Sequence, residues 1–502
     1  MNITWNILSK LKRIGSPLNP EAAPTFDRRK SHLERWRRFF LLIAAAIVTL
    51  PLGLGAAQGN ESQAPPVEIS SEPAILREYI YGYAPVAMEA TRAIQTAASD
   101  NTKQGQAPIN QFSYQKTLTA PSERLVIRPN ADTLYTTAWL DLACEPIILH
   151  VPDTAGRYYL IPVLDAYSNQ FASIGSRTTG TGEGNYAIVG PRWQGSVPEN
   201  VTGVIHARTN TVYLIGRTLV NGQSDLQNAL AVTTQYTLIP SSAYPQFLET
   251  GTYAPPTGLP VTPPNPDFVG FPVTTSSGFS KPEFFDVLAR YAAENPPSQE
   301  FLRASTLVLD GFLHQNQLTS AVVSEANLAM DNELLSTGTN ANGWSFHLNV
   351  GNYGTDYLLR AAIAKFGFGA NIPADAIYMS TEKDLTGVSL TGTSSYVIHF
   401  APGQTPPEQG FWSITVYGQD GFLVENPIHR YDVGSQTGLV ANPDGSLDIF
   451  LQSTEPQMTQ SNWLPVPATP YNLTLRIFWP DQSVLNGTWT PPTLRRTNVP
   501  LP

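Results

Sequence analysis

From Thr133 to Leu142 the side chains alternate with a period of two, as on a strand whose two faces meet different surroundings. Leu134, Thr136, Ala138, Leu140 and Leu142 form one face, which reads as core. Thr133, Tyr135, Thr137, Trp139 and Asp141 form the other. That second face is polar and aromatic, as a ligand-facing sheet surface would be. A solvated outer face or a domain interface would carry the same residues, because Tyr and Trp favour strands without any ligand. The surrounding stretch, Arg124 to Gln170, holds three predicted strands and two tight turns. Short apolar runs then follow at Tyr186–Val189, Val204–His206 and Thr211–Ile215, separated by Gly190–Pro191, Gly195 and Asn221–Gly222.

Before this region the pattern is helical. Ile75, Tyr79, Tyr83, Val86 and Ile94 recur near helical spacing over Glu72–Ala98, with Ser71 placed to cap and Pro73 in the first turn. Pro85 is expected to kink or split that helix. The chain onward to Pro121 is polar and loop-like. Tyr244–Lys281 is rich in Pro, Gly, Ser and Thr and reads as a connector. Helical spacing returns over Pro282–Ala293, Pro297–Asp310, Thr319–Leu335 and Tyr353–Phe366, where Gly367 stops the last helix. Strand patterns resume at Ser395–Phe400 and Phe411–Tyr417. Gln419-Asp420-Gly421 predicts a hairpin into Phe422–Glu425, because Asp-Gly tolerates the backbone angles such a turn needs. Asn442-Pro443-Asp444-Gly445 predicts a second turn into Ser446–Gln452, and Leu473–Trp479 a late strand.

The N-terminal segment is basic up to Arg38, then apolar over Phe39–Leu50, broken by Pro51 and followed by the small residues Gly53–Ala57. This reads as a signal peptide with cleavage near Ala57. An uncleaved anchor in the cytoplasmic membrane is the alternative, since the run through Ala57 is about 19 residues, barely a bilayer span. Either way the folded body is expected outside the cytoplasm, periplasmic or secreted. The expected plan is therefore a leader over 1–57, a polar tether over 58–70, and an N-terminal β-sandwich domain with a leading helix over 71–243. A connector over 244–281, an α-helical domain over 282–377 and a C-terminal β-sandwich domain over 378–495 complete it. The fold class is mixed but mainly β: two sandwiches joined by a small helical domain.

Composition narrows the chemistry. The 502 residues carry a formal net charge of −10, and an acidic chain argues against general nucleic-acid binding. With 37 Gly and 43 Pro the chain is turn-rich, which suits short strands. The one cysteine, Cys144, cannot make an internal disulfide and reads as a small buried apolar residue rather than a nucleophile. No HExxH, no paired His–Cys spacing, no GxSxG elbow and no Walker A loop is present, so neither a metal nor another cofactor is expected. Gly180–Gly184 precedes a strand-like run, not a helix, and reads as a turn.

Arginines and carboxylates among aromatics remain. Arg128, Asp132, Tyr135, Trp139, Asp141, Arg157, Asp165 and Arg177 lie in or beside the predicted strands, and they are the ligand-binding candidates, with Arg217 nearby. Guanidinium groups hold carboxylates and phosphates through paired, directional hydrogen bonds. Converging arginines in an acidic chain would therefore mark a place for a small anion. The competing expectation is internal Arg–Asp pairing that ties loops to sheet. A second polar and aromatic group comprises Asn426, His429, Arg430, Tyr431, Asn462, Trp463 and Arg476. Turn-forming Asn and packed Trp account for it without function.

RPNADTLYTTAWLDL, VPDTAGRYYLIPVLDAYSNQFASIGSRTTG and YAIVGPRWQG resemble the domain of unknown function numbered 1254. FWSITVYGQDGFLVENPIHRY and NWLPVPATPYNLTLRIFWP resemble the domain numbered 1214, its usual C-terminal companion. The resemblance implies an immunoglobulin-like sandwich, a small helical domain and a jelly-roll-like sandwich, in a bacterial cell-envelope setting. It implies no settled activity and no catalytic residues. The expected function is an exported envelope protein that binds a small anionic or carbohydrate ligand on its N-terminal sandwich. Two alternatives stand beside it: a hydrolase or lyase using Asp, Tyr and Arg at an interdomain cleft, and a purely structural envelope component.

Overall fold

The computed structural model describes residues 73–497 except 125–126, 271, 298–300 and 457–459. The expected leader, tether and Ser71 cap lie outside these residues. Among the described residues the chain forms nineteen strands in four sheets and eight α-helices.

Helix α1 (Ala74–Gln95) runs unbroken through Pro85. Pro85 has no N–H for the carbonyl one turn back, Tyr81 O, and the Arg360 guanidinium donates to that carbonyl instead, at 2.9 Å. The predicted split is thus averted by a side chain far along the sequence. The first strands follow: β1 (Ser113–Tyr114), β2 (Thr133–Asp141), β3 (Ile147–Val151), β4 (Tyr159–Asp165), β5 (Gln170–Gly175), β6 (Gly184–Val189), β7 (Gly203–His206) and β8 (Thr211–Leu219). Helix α2 (Leu226–Thr233), β9 (Thr237–Pro240) and α3 (Tyr244–Thr250) complete this half. One antiparallel sheet has the order β1-β2-β8-β4-β5 and a second the order β7-β6-β3-β9, with β6 and β7 parallel. They share a core of Ala138, Leu140, Ile147, Leu149, Ile161, Val163, Ile188 and Leu214. Ala138 and Leu140 lie on the face of β2 read as core.

Helices α4 (Glu283–Glu294), α5 (Phe301–His314), α6 (Ser320–Ser336) and α7 (Tyr357–Phe366) follow, with the short hairpin β10 (Thr339–Ala341) and β11 (Trp344–Phe346) before α7. Helix α1 is their hub and packs against all four. The bundle lies on the other face of the first sheet. Trp139, Tyr213, Ile215 and Leu164 join the same apolar cluster as Tyr79, Phe284, Val308 and Ala361. The first sheet is therefore covered on both sides, and on the outward face of β2 only Asp141 at the strand's end is exposed.

The remaining strands are β12 (Ala376–Thr381), β13 (Ser395–Phe400), β14 (Glu408–Gly418), β15 (Asp432–Gly434), β16 (Leu447–Gln452), β17 (Trp463–Pro465), β18 (Tyr471–Pro480) and β19 (Leu494–Thr497), with α8 (Gln482–Leu485) between the last two. They build sheets ordered β10-β11-β12-β18-β14-β15 and β17-β16-β13-β19. Tyr396, Ile398, Ile414, Ile449, Leu473, Leu475 and Ile477 fill the space between them. The Asp420-Gly421 turn forms, with Gly421 at φ 79°, but only the single bridge Tyr417–Leu423 follows it, not a strand. Cys144 is exposed in the turn between β2 and β3, contrary to its expected burial. No helix among the described residues is long and apolar enough to cross a membrane.

The two strand-rich halves meet at an aromatic seam. Tyr158, Leu160 and Leu219 pack on Ala376, Phe411 and Phe478, and the rings of Phe411 and Phe478 stack at 4.5 Å. Strand β14 bulges between Glu408 and Phe411 as it enters the seam. A Cβ on Gly410 would stand 2.6 Å from the Phe478 carbonyl and 2.8 Å from the Tyr158 ring. Gly410→Ala should therefore cost about 1–3 kcal/mol in urea unfolding. An unchanged midpoint would show that the seam has slack the geometry denies.

Candidate functional site

The helices do not seal against the outward face of the first sheet. A cavity of about 260 Å³ remains between them. Its sheet wall is Tyr135 and Thr137 of β2 with Tyr213 and Ile215 of β8. Strands β2 and β8 pair so that Thr137 lies opposite Ile215 and Trp139 opposite Tyr213. Thr137 is the short residue between two aromatic ones, so the sheet surface dips there. The roof is Thr91, Ile94 and Gln95 from the end of α1, and the segment Ala364–Phe368 at the end of α7. Val273 and Thr274 close one side; Lys103–Gln106, Gln115, Thr119 and Glu123 close another; Ile127 and Pro129 form the floor.

The polar groups around the cavity are held in place. Trp139 is buried, stacks on Tyr213 at 4.2 Å, and donates its indole N–H to Gln95 Oε1 at 2.7 Å. Gln115 Oε1 accepts the Tyr135 backbone N–H, and its Nε2 donates to Thr119. Gln104 donates to Glu123, and Gln106 to the Ile94 carbonyl. Burial pushes the Tyr213 hydroxyl up to about 12, so it stays protonated at neutral pH.

Of the eight sequence candidates, Tyr135 lines this cavity and Trp139 stands directly behind it. Asp141 is exposed and closes the turn that follows by accepting from Ala143 N. Arg157 is spent on Asp225 in a two-pronged pair at 2.5 and 2.8 Å, which holds the Asp225 carboxyl well below the usual range. Arg177 donates to Asp375 at 2.6 Å, and Gln170 and Ser173 donate to the same carboxylate. That cluster ties the edge strand β5 to the C-terminal half. Asp165 is buried and accepts from the backbone N–H groups of Tyr167 and Asn169; burial nevertheless raises its pKa. It borders a second, water-sized cavity of about 20 Å³ with Tyr81, Tyr357 and Arg360.

Arg128 and Asp132 lie at the junction beneath the floor. Arg128 has a left-handed backbone, φ 50°, held by its N–H to the Gly421 carbonyl and by its own carbonyl, which accepts from Arg476 at 2.7 Å. Its side chain donates to Ser380. Arg476 is 1% exposed; it also donates to Thr415 at 2.9 Å and to Tyr417 at 2.5 Å, and Tyr417 donates to the Pro129 carbonyl. One guanidinium from β18 thus grips the 128–130 strap. Asp132 is buried with no hydrogen bond to either carboxylate oxygen. Asp132 from one half and Asp432 from the other share the field of Arg476. Burial raises both carboxyl pKa values, and the charge of Asp132 adds to the rise at Asp432, taking it up to about 8.

Sequence reasoning missed most of the cavity lining. Gln95, Gln104, Gln106 and Gln115 sit in stretches that read as a helix end and a polar loop. Nothing in their spacing shows that they converge.

Arg476→Met should lower stability by about 3 kcal/mol or more in denaturant unfolding, because it strands the Arg128 carbonyl and removes the cation beside the buried Asp132 carboxyl. A loss below about 1 kcal/mol would contradict the role given to this cation. The acid pair gives a pH signature. Asp432 binds its proton more tightly folded than unfolded, so its contribution is present at low pH and is lost as pH rises toward about 8. Asp432→Asn should therefore match the parent's melting temperature near pH 4 and exceed it at pH 8.5. A parent-like pH profile in the variant would refute the assignment.

Comparison with known proteins agrees with this layout. The family described as "Protein of unknown function (DUF1254)" matches residues 109–240, and "Protein of unknown function (DUF1214)" matches residues 375–482. The first match spans the strands of the cavity's sheet wall; the second spans Arg476 and Asp432. The roof helices lie outside both. No curated protein matches the chain. Among solved structures, the VPA0106 protein from Vibrio parahaemolyticus is similar in fold at 24% identity and a TM-score of 0.61, over 85% of this chain and all of that one. An uncharacterised protein from Burkholderia cenocepacia aligns at 14% identity over 93% of this chain and 96% of its own, with a TM-score of 0.41. The chain thus carries a region matching DUF1254 followed by a region matching DUF1214, in that N- to C-terminal order.

Proposed function

We propose that this protein binds a small organic molecule in the cavity between the α1 bundle and the first sheet. The observation that carries the proposal is the cavity itself, close in size to the small-molecule sites of other proteins, which run from about 300 Å³ upward. Ile94, Ile127, Tyr135, Tyr213, Ile215, Val273, Phe366 and Phe368 give it a predominantly apolar wall. Such a wall favours a molecule with an apolar body over a carbohydrate, whose hydroxyls would lose water without enough partners. The ligand lies against the outward face of the N-terminal sheet pair, which we read as the immunoglobulin-like sandwich; we read the second pair as jelly-roll-like. An extracytoplasmic setting belongs to the same proposal and rests on the pattern of residues 39–57.

The test is calorimetric titration with octanol, octanoate, octylamine and benzyl alcohol, repeated on Thr137→Trp. Thr137 is half-buried on a strand that already carries Tyr and Trp, so an indole there should fill the dip without unfolding the sheet. The parent should bind at least one probe, and the variant should lose about tenfold or more in affinity at an unchanged melting temperature. Failure of the parent to bind any of the four, or equal binding by the variant, would overturn the proposal.

A further inference from the structure

We propose that the ligand of this cavity presents a hydrogen-bond acceptor, a carboxylate or carbonyl oxygen, to the side-chain amide of Gln95, and that Trp139 sets this preference. The inference rests on the binding role proposed above and names the class of head group it selects.

The argument begins from donors and acceptors. A glutamine amide has one end that accepts and one end that donates, and in isolation it can present either. Here the choice is made by its neighbour. The Trp139 indole N–H can only donate, and it lies 2.7 Å from Gln95 Oε1. The oxygen must therefore face Trp139, and the two N–H groups of Nε2 point away from it. Trp139 cannot turn to release the amide, because it is 2% exposed and stacked at 4.2 Å on Tyr213. The Gln95 backbone carbonyl is fixed as well, accepting from Ala107 N at 2.9 Å. Gln95 is thus a cavity-lining donor with a set orientation. Among the described residues Nε2 donates to no other group, which leaves its N–H groups to a ligand.

The other glutamines differ. Gln104 and Gln106 spend amide nitrogens on Glu123 and on the Ile94 carbonyl, and Gln115 uses both ends internally. Lys103 and Lys365 also reach the lining, but Lys103 is exposed and Lys365 is paired with Asp331 at 2.6 Å. A half-buried donor held in one orientation discriminates by head group, because a head without an acceptor leaves it unpaired against an apolar wall. The consequence is selection by polarity of the head rather than by net charge alone.

The test compares octanoate with octylamine, which share a chain and differ in that one head only accepts and the other only donates. The parent should prefer octanoate by about tenfold or more. Gln95→Glu keeps the acceptor for Trp139 and turns an oxygen into the cavity, so the preference should invert. Trp139→Phe removes the orienting donor, and the amide becomes free to turn; the octanoate-to-octylamine ratio should fall toward one. If no probe binds, the binding proposal fails. If the probes bind but the ratio is unchanged in Gln95→Glu, or the ratio collapses only on Lys103→Ala or Lys365→Ala, the Gln95 assignment is overturned and the binding role stands.

Discussion

One buried guanidinium holds the two halves of this protein in register. Arg476 comes from a central strand of the C-terminal half, yet it bonds the backbone of Arg128 on the other side of the junction. The segment it grips carries a left-handed non-glycine residue and supplies the floor of the cavity through Ile127 and Pro129. Backbone polar groups buried at such a junction need partners from across it. Arg476, Tyr417 and Gly421 provide them. The same cation offsets two carboxyl groups, Asp132 and Asp432, that burial would otherwise make more costly still.

The cavity follows from a mismatch of side-chain sizes. The outward face of β2 places Tyr135, Thr137 and Trp139 in sequence under a roof of helices. Trp139 reaches up and bonds α1 through Gln95, while Tyr135 anchors the near end by accepting from Asn130 N. Thr137 is too short to reach the roof. The larger aromatic residues on either side of it leave a hollow over this small one.

Much of the layout was legible in the sequence. Period-two alternation marked β2 and both of its faces, and helical spacing marked α1 and α4 to α7. Pro85 misled, because the group that replaces its missing hydrogen bond, Arg360, lies in another helix. The arginines were ambiguous for a related reason. A guanidinium that binds a ligand and one that ties a loop to a sheet look alike in one dimension, and Arg157 and Arg177 prove to be engaged by Asp225 and Asp375. Tyr135 was visible as a candidate because its strand face was readable. Gln95 was not, since its meaning comes from an indole 44 residues away.

The most direct measurement is a crystal structure of the protein soaked with octanoate. The account predicts density in the hollow over Thr137, with the alkyl chain between Tyr213 and Phe368 and a carboxylate oxygen within hydrogen-bonding distance of Gln95 Nε2. Density elsewhere on the molecule, or a chain seated with its carboxylate turned away from Gln95, would contradict it.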